Sequence, residues 1–240
     1  MEYYAIAPFK YLQHVKEYDN HMVIASFLDR EEYWKFYRGL RKGGKMILLD
    51  NGAFEKGVAM GDEEYLEWIS KLQPQRVVLP DDIHDVRNST ERGLTFLNKA
   101  EASLGELFYK IDWMAVLHGQ DIEALNYEYA FYSQNGAISF GIPYMHWKSV
   151  YQRATIARLI PRVKVFNIHY LGLKNTDEIG LAPPCVYSLD TSFPWKRAQE
   201  KKRLDWEMEM SDFQVELAVR LMERLRKHCK KTESVKYLNV

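Results

Sequence analysis

Eight short apolar runs recur along the chain, at residues 3–7, 22–27, 46–49, 76–79, 113–117, 137–140, 165–168 and 186–189. Most lead into polar or glycine-bearing tips: Asp50-Asn51-Gly52-Ala53-Phe54, Pro80-Asp81-Asp82, His118-Gly119-Gln120, Gly141-Ile142-Pro143, His169-Tyr170-Leu171-Gly172 and Asp190. Between the runs lie segments of helical period. These cover 31–40, 62–72, 86–107, 121–133 and 149–159. Asp62 is the expected N-cap of the second, Pro74 its stop, and Pro161 closes the last. A longer helix of mixed charge, over about 204–229, is expected to pack across the outside. Strands alternating with helices predict a parallel sheet. Eight repeats predict an α/β fold, a single compact (β/α)8 TIM barrel spanning 1–240 as one domain. The rival, an open doubly wound sheet, carries a glycine-rich phosphate turn after its first strand, and the chain has none there.

Composition narrows the class without naming a chemistry. The 240 residues suffice to bury one core, and 47% hydrophobic with 28% charged is an ordinary globular balance. Net charge is +0, so any nucleic-acid partner must be held by a local basic patch. The two cysteines, Cys185 and Cys229, cannot build a disulfide framework or a four-cysteine zinc site, and fit a reducing compartment. No apolar stretch is long enough to span a bilayer. The expectation is a soluble protein of the cytoplasm with no membrane partner.

In a parallel barrel the chemistry sits at the carboxyl ends of the strands, so each tip has a functional and a structural reading. Asp190 is either a reactive carboxylate or a helix cap. Asp50 either faces a ligand over the tight turn at Gly52 or makes an Asx-turn. Two strand-end aspartates in one barrel suit glycosyl chemistry, one attacking the anomeric carbon while the other moves a proton. Burying both Asp81 and Asp82 would be costly, so at least one should meet a ligand donor, a cation or water. His118, Gly119, Gln120 and Gly141 would let a flat ring approach the backbone; His169 and Tyr170 form a similar tip. Lys196 and Arg197 follow Asp190 closely enough to hold flanking phosphates. Phe54 or Trp195 would stack on a base or fill the core. A metal site is not expected: His84, His118, His146 and His169 lie on different loops and no Cys-x-x-Cys pair is present, which leaves Asp81, Asp82, His84 and Asp85 as the one group that could bind a cation.

In this order the tips resemble the tRNA-guanine transglycosylase superfamily. Asp50-Asn51-Gly52-Ala53-Phe54 is similar to its Asp-Ser-Gly-Gly-Phe segment. Asp190 with Pro194 and Arg197 is similar to its nucleophile segment. The tips at Asp81, His118, Gly141 and Tyr170 fall between in the same order, over about residues 45–200. The chain departs from the tRNA enzymes in lacking their Cys-x-Cys-x-x-Cys zinc module, and His118 stands where they carry a base-reading glutamine. The compact form resembles the phage-type 7-deazaguanine DNA transglycosylases. That resemblance implies exchange of guanine in DNA for a free 7-deazaguanine base such as preQ0, without a cofactor. It implies Asp190 as nucleophile and Asp50 as general acid and base. Asp81, with Asp82, would grip the base, and His118, Gln120 and Gly141 would complete the pocket. The alternatives are the same exchange on tRNA, hydrolysis of an N-glycoside by the same aspartates, and a silent nucleic-acid-binding barrel.

Overall fold

The computed structural model describes residues 1–119, 121–135, 137, 139–144, 150–160, 167–173, 175–201 and 203–236, with the backbone alone at 150–152 and 232–236. Eight parallel strands close into a barrel in sequence order. They are β1 (Glu2–Ala5), β2 (Asn20–Ile24), β3 (Met46–Asp50), β4 (Arg76–Val78), β5 (Asp112–Val116), β6 (Ser139–Pro143), β7 (Asn167–Leu171) and β8 (Val186–Thr191). Closure is made by β8 on β1, where Tyr4 stands opposite Asp190. This is the expected TIM barrel, and it excludes the open sheet.

The helices are α1 (Glu31–Lys42), α2 (Ala53–Lys56), α3 (Asp62–Leu72), α4 (Val86–Leu104), α5 (Ile122–Gln134), α6 (Val150–Leu159), α7 (Asp177–Leu181), α8 (Phe193–Ala198) and α9 (Asp212–Lys236). Their buried positions follow helical period. Tyr33, Tyr37 and Leu40 form the inner face of α1, and Tyr65, Ile69 and Leu72 that of α3. Ala218, Met222, Leu225 and Cys229 do the same on α9, which packs against β1 and α8.

Several boundaries differ from expectation for identifiable reasons. The last helix starts at Asp212 rather than near 204. Its start is a capping box: Ser211 Oγ accepts from Gln214 N at 3.4 Å, and Gln214 Oε1 accepts from Ser211 N at 3.0 Å. The helix expected over 86–107 ends at Leu104, where Gly105 has φ 52° and a 3-10 turn follows. Gly61, not Asp62, occupies the N-cap of α3, and Asp62 instead pairs with Lys99 at 2.6 Å. β2 ends at Ile24, and 25–27 curl into a 3-10 turn. β6 and β7 lie further along the chain than their apolar runs. The readings placed on Ile138, Ser149, Pro161, Val165 and Phe166 lie outside the described residues.

Strand phase decides what faces the barrel axis. Ile6, Ile24, Asp50, Val78, Val116, Leu171 and Asp190 line the cavity at the carboxyl end. Two residues earlier on their strands, Tyr4, Arg76, His169 and Ser188 meet one another in the interior below. No helix among the described residues is long and apolar enough to cross a membrane.

Candidate active site

A cavity of about 680 Å³ opens at the carboxyl end of the barrel, within the size range of small-molecule sites. Its lining includes four carboxylates from three strand tips and a short helix: Asp50, Glu55, Asp81 and Asp190. Among the described residues no group of His, Cys, Asp or Glu side chains is arranged to hold a metal ion.

Asp190 caps no helix. It lies within β8, and α8 begins from Ser192 without a side-chain cap. Its Oδ1 accepts from His169 Nε2 at 3.0 Å and from Gly172 N at 3.1 Å. Gly172 serves this contact through its backbone: φ is +66°, and a Cβ there would stand 2.8 Å from the Tyr144 ring. The Gly172 carbonyl is held in turn by Arg153 Nη1 at 2.7 Å, and Arg153 pairs with Glu178 at 2.8 Å in the interior.

Behind His169 runs a polar chain through the barrel. Arg76 binds Asp112 at 2.7 Å and donates to Ser188 Oγ at 3.2 Å. Ser188 Oγ is 2.8 Å from His169 Nδ1. Arginine can only donate, so the serine hydroxyl accepts from Arg76 and is free to give its own proton to Nδ1. That leaves the proton of a neutral imidazole on Nε2, pointing at Asp190. Burial, opposed by the Asp190 charge, depresses the His169 pKa and favours the neutral ring. The chain therefore delivers a donor, not a second proton, to Asp190.

Asp50 makes the Asx-turn and also faces the cavity, so its two readings coexist. Its Oδ1 accepts from Gly52 N at 2.7 Å. Gly52 has φ +78°, and a Cβ there would lie 2.8 Å from Ser26 Oγ. Although Asp50 keeps some surface on the cavity, its carboxyl is enclosed by protein. Burial raises its pKa well above the usual carboxylate value; Glu55, Asp81 and Asp190 add to this, against the Gly52 N–H.

Asp81 is buried and locked from both sides. Asn51 Nδ2 donates to Oδ1 at 2.8 Å, and His118 Nε2 lies 2.7 Å from Oδ2. Asn51 also donates to Leu79 O at 2.7 Å and accepts from Ala53 N at 2.8 Å, tying the β3 and β4 tips together. The buried Glu128 of α5 accepts from the backbone N–H of His118 at 3.0 Å and of Gly119 at 2.7 Å, fixing the β5 tip.

Other candidates fall elsewhere. Asp82 points away from the cavity: its carboxylate accepts from His84 N at 2.9 Å and Asn88 Nδ2 at 2.7 Å. These donors lower its pKa. Those two contacts tie Asp82 to the loop that leads into α4 while Asp81 lines the cavity. Tyr170 is likewise turned out of the barrel, against the Arg153 guanidinium at 4.0 Å from the ring centroid. Gly119 and Gly141 do not line the cavity. A Cβ at Gly119 would meet Leu125 N at 2.6 Å, and one at Gly141 the Leu171 side chain at 2.7 Å, so both glycines serve packing. Trp195 is core: it stacks on Tyr11, and its Nε1 donates to Ile6 O at 2.6 Å. Phe54 lines the mouth and is 48% exposed. Lys196 lines the cavity beside Tyr144, whereas Arg197 is exposed and does not. Gln120 and His146 lie outside the described residues.

Glu55 went unnoticed in the sequence, where it looks like any helix-surface charge. It lies on α2, lines the cavity, and its Oε2 is sealed from solvent with no hydrogen-bond partner among the described residues. Burial, with a contribution from Asp190, raises its pKa to about 7.

Compared with family models and with curated proteins, the chain matches none.

Proposed function

We propose that the protein is a transglycosylase that exchanges guanine in DNA for a free 7-deazaguanine base, through a covalent bond between Asp190 and C1′ of the target nucleotide. One observation carries this reading: two carboxylates of opposite character, Asp190 and Asp50, line one cavity. Donors from His169 and Gly172 meet Asp190 and stabilise its charge. Its second oxygen accepts nothing from the described residues and is left for substrate. Asp50 is held toward its acid form. Two carboxyls in such different surroundings can divide the labour between nucleophile and acid.

The steps follow from those roles. The target base leaves the stack, because C1′ is otherwise shielded. Asp190 attacks C1′ and the bond from C1′ to the base nitrogen breaks. The electron pair stays with guanine, which takes the Asp50 proton and departs. The incoming base then attacks C1′ through its ring nitrogen, Asp190 leaves, and the Asp50 carboxylate takes the N–H proton. Protons and charge balance over the cycle, so no cofactor is consumed. Asp81, held as an acceptor by Asn51 and His118, suits the N–H edge of a guanine-like ring. Phe54 offers a stacking face, and Lys196 with Arg203 offers cations at the mouth.

The test is release of labelled guanine from DNA and from tRNA, each with and without preQ0. Release from DNA accompanied by preQ0 incorporation is expected. Release from tRNA alone moves the substrate to RNA. Release without incorporation makes the enzyme a hydrolase. Absence of release from both polymers, from folded protein, overturns the reading.

A further inference from the structure

We propose that Glu55 and Asp50 carry a single proton between them from about neutral pH upward, and that Glu55 is a positioning residue acting through Asp50. This rests on the transglycosylase reading for its catalytic meaning, but the proton sharing itself does not.

The geometry argues for it. Four carboxyl groups surround one cavity, and the side-chain cations on its lining are few: Lys196 is half-buried, Lys56 and Arg203 are exposed. Four ionised carboxylates there would repel strongly in a poorly solvated space. Asp190 has its two donors, and Asp81 is held by Asn51 and His118. Among the described residues Asp50 has one donor, the Gly52 N–H, and Glu55 has its own backbone N–H, while the sealed Glu55 Oε2 has none. An ionised oxygen sealed without a donor is costly, so protonation falls on this pair. The groups facing it are Asp190 from β8, Asp81 and His84 from the loop after β4, His118 from the tip of β5, Lys196 from α8, and the hydroxyls of Tyr33 from α1 and Tyr65 from α3, whose own titrations feel Glu55 and Asp50 respectively. The two tyrosines are buried and remain neutral, so they add no opposing charge.

The consequence for turnover is simple. With Glu55 ionised, Asp50 keeps its proton at neutral pH and gives it to the departing base as the C1′–N bond breaks. The pair is then fully ionised until the N–H of the incoming base restores one proton to Asp50. No net proton is taken up or lost.

The experiment follows the side-chain carboxyl resonances of 13C-labelled protein across the neutral range, for wild type, Glu55→Gln and Glu55→Asp, alongside the pH profile of exchange. Expected in wild type is a two-step titration shared by Asp50 and Glu55. In Glu55→Gln, Asp50 should titrate in one step at lower pH, by about one unit, the size that marks coupled groups. The alkaline limb of kcat/KM should move down with it, and Glu55→Asp should restore both. An Asp50 titration unmoved by Glu55→Gln overturns the proposal, as does a uniform loss of kcat with an unshifted profile. Shared titration in a protein without exchange activity would sink the transglycosylase reading and leave the pair standing.

Discussion

Replacing Glu55 by Gln should make the protein more stable at about pH 8 and leave its stability near pH 4 almost unchanged. The sign follows from linkage. Burial raises the Glu55 pKa from 4.5 to about 7 in the folded state. Below 4.5 the folded and unfolded chains are both protonated there, and Gln and neutral Glu are near-isosteres. Between 4.5 and 7 the unfolded chain releases its proton while the folded one keeps it, so wild type loses stability as pH rises. Each unit of difference is worth ~1.36 kcal/mol, so the full interval approaches ~3 kcal/mol. Part of that shift is shared with Asp190 and Asp50, and the cavity admits some solvent, which leaves about 2 kcal/mol. For a chain of this length that corresponds to roughly 4–8 °C in melting temperature. Urea melts of wild type and Glu55→Gln at both pH values measure it. Equal stability at pH 8, or a less stable variant there, would refute the reasoning, because it would mean that Glu55 is ionised and satisfied in the fold.

Other expectations follow from single contacts. Ser188→Ala removes the link between Arg76 and His169 and strands a buried guanidinium N–H, at a cost of about 1–3 kcal/mol. Exchange should fall through kcat more than KM, read by steady-state kinetics, since Asp190 loses its oriented donor. Gly172→Ala meets both a left-handed φ and the Tyr144 ring, so activity should drop by at least about tenfold, or ~1.4 kcal/mol of barrier; wild-type rates from that variant would show that the Gly172 N–H is dispensable. Asp82→Asn should exchange like wild type, while Asp81→Asn should raise KM for the base, because only Asp81 lines the cavity; equal effects of the two would contradict the inward and outward assignment.

The sequence carried the barrel well because parallel strands buried on both faces read as continuous apolar runs, separated by helical period. That same continuity hides strand phase. Nothing in Val186-Tyr187-Ser188-Leu189 shows that Ser188 points down the axis, so the chain from Arg76 through Ser188 and His169 was invisible until the register was known. His169 and Tyr170 looked like one tip, yet they sit inside β7 and face opposite ways. Asp50, Asp81 and Asp190 were legible because carboxylates at strand ends are conspicuous. Asp82 sits beside Asp81 in the sequence, yet its carboxylate is taken up by His84 N and Asn88 Nδ2 in the loop that leads into α4. Glu55 was missed because only the curl of α2 beneath Gly52 turns a surface-type residue inward.

The central claim is that Asp190 carries the sugar. The most direct measurement is incorporation of labelled preQ0 into guanine-containing DNA by wild type and by Asp190→Asn, with melting curves to show that both fold. The account predicts steady incorporation by wild type and none by the variant, whose side chain keeps the contacts of Asp190 but cannot form the glycosyl ester. Incorporation by Asp190→Asn at anything near the wild-type rate would contradict it.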